Sequence, residues 1–220
     1  TTNKWQNSEI EGIDIMLAID VSTSMLAEDL KPNRLEAAKD VAAEFINGRP
    51  NDNIGITLFA GETFTQCPLT VDHAVLLDMI HNIKCGLITD GTAVGMGIAN
   101  AVTRLKDSKA KSKVIILLTD GTNNKGDISP MTAAEIAKSF GIRVYTIGVG
   151  TNGMAPYPYP VGNTVQYVSM PVEIDEKTLT EIAGTTDGNY FRATSNSKLK
   201  EVYEEIDKLE KTKLDRKSVV

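Results

Sequence analysis

Gly12-Ile-Asp-Ile-Met-Leu-Ala-Ile-Asp20 and Lys113-Val-Ile-Ile-Leu-Leu-Thr-Asp120 decide the fold. Each is a short, almost unbroken apolar run that stops at an aspartate. Such a run marks a parallel strand covered on both faces, since a strand with one wet face alternates apolar and polar residues. Outward from these two runs, strand patterns alternate with helical ones. Residues 34–47 place Leu35, Ala38, Ala42 and Phe45 at spacings of three and four, and Asn33 with Glu36 forms a capping box. Residues 53–60 and 62–70 read as strands joined through Ala60-Gly61, the second an antiparallel edge strand because it holds Pro68. Helices are expected over 72–83 and 92–105, with Leu87-Ile-Thr-Asp-Gly91 as a loop between them. Ser129-Pro130 supplies an N-cap and a first-turn proline to a helix that Gly141 ends. After a strand over 142–149, residues 150–171 carry four of the eight prolines and read as a long irregular excursion. A helix over 175–184 capped by Asp175, a strand over 189–193 and an amphipathic helix over 195–211 follow. Residues 211–217 read as a solvated or frayed tail.

This alternation implies one domain, 1–220 with a core at about 13–211, built as a doubly wound, mostly parallel open α/β sheet. One antiparallel edge strand and helices on both faces complete the expectation. In such sheets, ligands bind outside the carboxyl ends of the strands, where the strand order reverses. Both aspartates that end the apolar runs belong at that place.

Composition narrows the function classes. The 220 residues are 41% hydrophobic and 24% charged, which excludes disordered and collagen-like chains. Lys+Arg 23 against Asp+Glu 29 gives a net charge of −6, so no nucleic-acid partner is expected. The longest purely apolar runs, such as Ile15 to Ile19, are far shorter than the roughly 20 residues of a membrane-spanning helix. There is no signal-peptide pattern, and the opening Thr1-Thr-Asn-Lys-Trp5 reads as the cut end of a longer protein whose anchors lie outside it.

The chemistry concentrates in three loops. Asp20-Val-Ser-Thr-Ser24 sets a carboxylate and two hydroxyls at every second position of a turn leaving a central strand. Hard cations such as Mg2+ take oxygen ligands in an octahedral array, and small oxygen-bearing side chains at this spacing suit one side of it. Asp20 and Asp120 at neighbouring strand ends would repel unless protonated, bridged by donors or bound to a cation. Thr92, in Asp90-Gly91-Thr92, adds a hydroxyl from a third loop. Each element alone reads better as a helix cap or an ordinary turn. Together they point to a divalent cation.

These residues resemble the von Willebrand factor A domain, whose metal-ion-dependent adhesion site combines an Asp-x-Ser-x-Ser turn, a threonine on a second loop and an aspartate on a third. Asp20, Ser22 and Ser24 match the turn, Thr92 the threonine and Asp120 the third-loop aspartate. The surrounding words, Arg34-Leu-Glu-Ala-Ala-Lys39 and Phe59-Ala-Gly-Glu-Thr-Phe-Thr-Gln-Cys-Pro-Leu-Thr70 among them, look like the bacterial aerotolerance (Bat) proteins, the A-type above all. The resemblance implies a domain tethered to the bacterial inner membrane by flanking helices, on the periplasmic side. It implies Mg2+ held by those five residues, with Mn2+ or Ca2+ as alternatives. It further implies an open coordination position for an Asp or Glu of a protein partner, other Bat proteins being candidates. In integrin-type relatives the last helix, here residues 195–211, shifts with the state of the site.

Two other readings stay beside this one. The first is a Mg2+-dependent phosphohydrolase with Asp20 as nucleophile. Against it, such enzymes need a second carboxylate two residues on, where this chain has Ser22, and its two histidines, His73 and His81, fall in the helix over 72–83. The Gly91-to-Gly97 run lacks the lysine and preceding strand of a phosphate loop, so close helix packing explains its glycines better. The second is a redox pair of Cys67 and Cys85, set against two packed thiols without Cys-x-x-Cys spacing. Pro156-Tyr-Pro-Tyr-Pro160 reads either as an extended recognition surface or as a stiff loop covering an edge.

Overall fold

The structure, a computed structural model, describes residues 12–217 and 219; the expectation about residues 1–5 lies outside the described residues. In chain order the elements are β1 (Asp14–Asp20), α1 (Arg34–Asn47), β2 (Asn53–Phe59), β3 (Thr63–Thr70), α2 (His73–His81) and α3 (Val94–Leu105). Then come β4 (Lys113–Thr119), α4 (Pro130–Ser139), β5 (Ile142–Val149), β6 (Met154–Val161), β7 (Thr164–Pro171), α5 (Glu176–Thr185), β8 (Tyr190–Ala193) and α6 (Asn196–Lys217). Six strands form one sheet in the order β3-β2-β1-β4-β5-β8, parallel except for the β2–β3 pair at one edge. This is the doubly wound sheet that the two apolar runs imply.

Side-chain alternation explains why β1 and β4 carry no polar face. Along β1, Ile15, Leu17 and Ile19 enter a core with Leu35 and Phe45 of α1, Leu76 of α2 and Leu199 of α6. Met16 and Ala18 point the other way, into a second core with Ile98 of α3, Ala134 of α4 and Ile182 of α5. Both faces are therefore helix-covered, and a polar residue at any of these positions would lie in a core. The local stop signals act as read: Asn33 accepts the Glu36 N–H at 2.8 Å, Ser129 the Thr132 N–H at 3.1 Å and Asp175 the Thr178 N–H at 3.1 Å. Pro68 falls where the β2–β3 register slips, so its missing N–H breaks no ladder bond on an edge strand. On α3, a Cβ at Gly95 would lie 2.1 Å from the Ile128 carbonyl oxygen, and one at Gly97 would lie 2.7 Å from the Phe59 ring. Those glycines serve close packing.

Two expectations are corrected. Residues 150–171 are not an irregular excursion: β6 and β7 form a separate antiparallel hairpin, turning at Gly162 with φ 58°, the glycine-first pattern of a type II′ turn. Pro156, Pro158 and Pro160 sit at every second residue, so their missing donors all face the same edge, away from β7. The Pro156 carbonyl oxygen confirms that direction by accepting the Glu28 N–H at 2.9 Å. Prolines placed in this way permit a strand. Likewise, α6 does not fray at Lys211 but continues to Lys217. Lys211 pairs with Asp207 at 2.8 Å, and the Lys217 ammonium donates to the Lys111 carbonyl at 2.7 Å, which holds the last turns against the body.

Candidate metal centre

The chain runs from β1 to β2 on one side and later returns to β4 on the other, so the strand order reverses between β1 and β4. Their register pairs Ile19 with Leu118, which delivers Asp20 beside Thr119 and Asp120 at the mouth of that reversal. Asp20 is fully buried and Asp120 nearly so.

Four of the sequence-selected residues are linked in turn. The Ser22 and Ser24 hydroxyls lie 2.9 Å apart, the Ser24 hydroxyl donates to Asp120 Oδ1 at 2.8 Å, and the Asp120 carboxyl group is near enough to Asp20 for their charges to repel. Asp20 Oδ1 accepts the Ser22 N–H and Oδ2 the Thr119 hydroxyl, each at 2.8 Å. Thr92, also buried, lies against the residue after Asp120, since a Cβ at Gly121 would stand 3.5 Å from Thr92 Oγ1. The three loops lock pairwise. Ser24 with Asp120 joins the first to the third. The Thr23 N–H and hydroxyl on the Asp90 carboxylate, at 3.1 and 2.7 Å, join the first to the second. The Thr92 N–H on Asn124 Oδ1 and the Asn124 N–H on the Thr92 carbonyl, both 2.9 Å, join the second to the third.

Burial, and then the facing Asp120 charge, raise the Asp20 carboxyl well above its ordinary range, against hydrogen bonds from Ser22 and Thr119. Asp120 is raised by burial too, although Arg34 opposes the shift. Two carboxyl groups held together in a water-poor crevice cannot both ionise cheaply, and a divalent cation between them would remove the conflict. Among the described residues no cluster of three or more His, Cys, Asp or Glu side chains exists, so any cation here relies on hydroxyls as well as carboxylates. An all-oxygen donor set of this kind fits a hard cation.

Arg34 is the residue at this crevice that the sequence reading missed. Its side chain is fully buried. Nε and Nη2 fork onto Asp29 at 2.7 Å each, and Nη1 donates to Asp120 Oδ2 at 2.9 Å and to the Tyr157 hydroxyl at 3.1 Å. Asp29 also accepts the Thr151 N–H at 2.9 Å. Burial pushes the Asp29 carboxyl up, but these donors overcome it and hold it below its usual range. One guanidinium thus fixes one Asp120 oxygen while leaving Oδ1 toward the serines. A signal was present: Arg34 is the first residue of α1, where a cation opposes the helix dipole and needs another reason to be there.

The remaining candidates fall elsewhere. His73 hydrogen-bonds the Asp52 carbonyl at 2.8 Å, beside the amino end of β2 and thus at the opposite end of the sheet from Asp20. His81 lies at the end of α2, where its carbonyl accepts the Lys39 ammonium at 3.1 Å. Cys67 is a buried thiol in β3, raised in pKa by burial. Cys85 is also free, and its thiol donates to the Ser22 carbonyl at 3.4 Å. Burial, and then the charges of Asp20 and Asp120, push it up to about 12, the opposite of an activated thiolate.

The von Willebrand factor type A domain profile matches residues 14–205. The chain resembles the solved structure of BatB from Bacteroides thetaiotaomicron, with 34% identity and a TM-score of 0.79 over 91% of this chain and 100% of that one. It resembles an aerotolerance-related membrane protein from Bacteroides fragilis almost as well, with 32% identity and a TM-score of 0.78 over 90% and 98%. An uncharacterised protein of Borreliella burgdorferi is 30% identical over 94% of this chain and 60% of its own length, so the chain spans about three-fifths of that relative. A UPF0353 protein of Nocardia farcinica is 32% identical over 88% of this chain and 62% of its own length. Among the described residues, no helix is long and apolar enough to cross a membrane. The profile match, the strand order and the likeness to the two Bacteroides proteins agree: the chain belongs to the von Willebrand factor type A domain family.

Proposed function

We propose that this domain is a binding module, not an enzyme, and that Asp20, Ser22, Ser24, Thr92 and Asp120 hold one divalent cation at the β1–β4 reversal. The observation that carries the reading is the convergence of Ser22, Ser24, Asp120 and Asp20 at one strand end, where two carboxyl groups are buried side by side and Arg34 pairs with Asp120 but not with Asp20. Mg2+ is favoured by the small hydroxyl-rich donor set, with Mn2+ and Ca2+ next. Arg34 already neutralises part of Asp120, so a bound divalent ion keeps net positive charge and an appetite for an anionic oxygen. An Asp or Glu of a protein partner would supply it. The likeness to BatB and to a membrane protein linked with aerotolerance supports a place in a membrane-associated bacterial assembly, with other Bat proteins as the first partners to try. The periplasmic face of the inner membrane is the proposed location.

The test is capture of partners from the native membrane with and without chelator, comparing wild type with Asp20→Ala. Capture lost in both cases supports the reading; capture indifferent to chelator overturns it. A Mg2+-dependent phosphatase assay with Asp20→Asn as control addresses the enzyme alternative. No turnover above background is expected, because Asp20 is buried with both oxygens engaged and His73 lies at the opposite end of the sheet.

A further inference from the structure

The carboxylate oxygens of the crevice are not held alike. Asp20 Oδ1 accepts the Ser22 N–H, Asp20 Oδ2 the Thr119 hydroxyl and Asp120 Oδ1 the Ser24 hydroxyl, each at 2.8 Å. Those donors are all neutral, and a hydroxyl can turn so that its own oxygen faces a cation beside the carboxylate. Asp120 Oδ2 differs. Its donor is the Arg34 guanidinium, a permanent charge, at 2.9 Å, with neither side chain reached by solvent. Nor can the guanidinium step aside. Its Nε and Nη2 fork onto Asp29 at 2.7 Å each, and Asp29 is fixed in turn by the Thr151 N–H. The backbone closes in at Gly150, where a Cβ would stand 3.1 Å from Nη2, and the Tyr157 ring centre lies 5.5 Å from Cζ.

We propose that Arg34 sets which cation this crevice prefers: taking the cation site proposed above as given, it confines Asp120 to one ligating oxygen and so favours Mg2+ over Ca2+. Mg2+ takes roughly six oxygens in a near-ideal octahedron, whereas Ca2+ takes about six to eight and often recruits both oxygens of one carboxylate. With Asp20, Ser22, Ser24, Thr92 and Asp120 giving one oxygen each, a single acid or water completes an octahedron. The further ligand that Ca2+ could recruit at Asp120 is Oδ2, and that oxygen already faces a buried cation. Two positive charges on one oxygen repel strongly where water is excluded. Charge alone would weaken every divalent ion alike. Loss of a ligating oxygen penalises the ion that wants more of them.

Calorimetric titration with Mg2+ and with Ca2+ measures the ratio of the two dissociation constants. The wild type should bind Mg2+ the more tightly. Arg34→Lys keeps the charge without the planar fork, so Asp29 and Asp120 are no longer held in fixed directions by one group. Arg34→Gln with Asp29→Asn removes the ion pair as a whole and strands no charge at Asp29. Each should move the ratio about tenfold toward Ca2+. Ile182→Ala truncates the second core on α5, away from Arg34, and should melt lower with the ratio kept. Heat from neither cation in the wild type, or heat that survives Asp20→Ala, overturns the metal reading and the role of Arg34 together. Where Asp20→Ala abolishes binding, a wild-type preference for Ca2+ overturns the role of Arg34 alone. A ratio unmoved in either Arg34 variant, or moved as far by Ile182→Ala, does the same.

Discussion

The crevice at the ends of β1 and β4 and the β6–β7 hairpin meet where Arg34 touches Tyr157 and Glu28 bonds Pro156, and are otherwise opposites. In the crevice, charged groups are buried and nearly every polar atom has a partner at a defined distance. In the hairpin there is no charge, and large apolar side chains face water. The first arrangement is costly to disturb because an unpaired buried charge has nowhere to go; the second is cheap to disturb because solvent already fills the gaps. Buried charge requires the first kind of order, and an exposed apolar ribbon tolerates the second.

The contrast can be broken or sharpened by measurement. Arg34→Met should have the largest effect, a loss of about 3–5 kcal/mol in denaturant unfolding, since Asp29 and Asp120 are left buried without a counter-charge. A loss below about 1 kcal/mol would mean that the crevice is wetter than its geometry shows. Next comes the cation. Saturation with Mg2+ at a hundred times its dissociation constant should stabilise the wild type by about 2.7 kcal/mol and leave Asp20→Ala unmoved, as read by thermal melting.

Smaller again is the pH effect. In chelator the raised Asp20 and Asp120 pKa values make the folded chain bind more protons than the unfolded one. Their contribution is therefore present in acid and is lost as pH rises through the folded values. From about pH 4 to about pH 8 the wild type should lose stability relative to Asp20→Asn, and Mg2+ should abolish the difference. Tyr157→Phe removes one hydrogen bond to Arg34 and should cost about 1 kcal/mol, with faster amide exchange along β6. Tyr159→Ser, on the exposed part of the hairpin, should change stability by no more than about 0.5 kcal/mol.

How far the sequence could be read follows the same division. The sheet was legible because β1 and β4 are covered on both faces, which forces unbroken apolar runs, and because Asn33, Ser129 and Asp175 cap as local chemistry dictates. That Asp20, Ser22, Ser24 and Asp120 come together was legible because both aspartates end apolar runs and so fall at the same end of the sheet. Arg34 was not, because its partners Asp29, Asp120 and Tyr157 come from three segments and only the folded chain brings them together. The hairpin was misread for a different reason. Prolines at alternate positions look like breakers until it is known which edge of the strand they face, and that depends on the register with β7.

The alternate prolines of β6 have one more consequence. They strip conformational freedom from the chain before it folds, so the arm should behave as a stiff spoke rather than a whip. From Tyr157, which touches Arg34, to the bend at Gly162 is five strand steps, or about 17 Å. That length is a ruler set by covalent geometry. Any body that grips both the arm's tip and the crevice must be at least that long, so a peptide of fewer than about five extended residues can engage one or the other but not both.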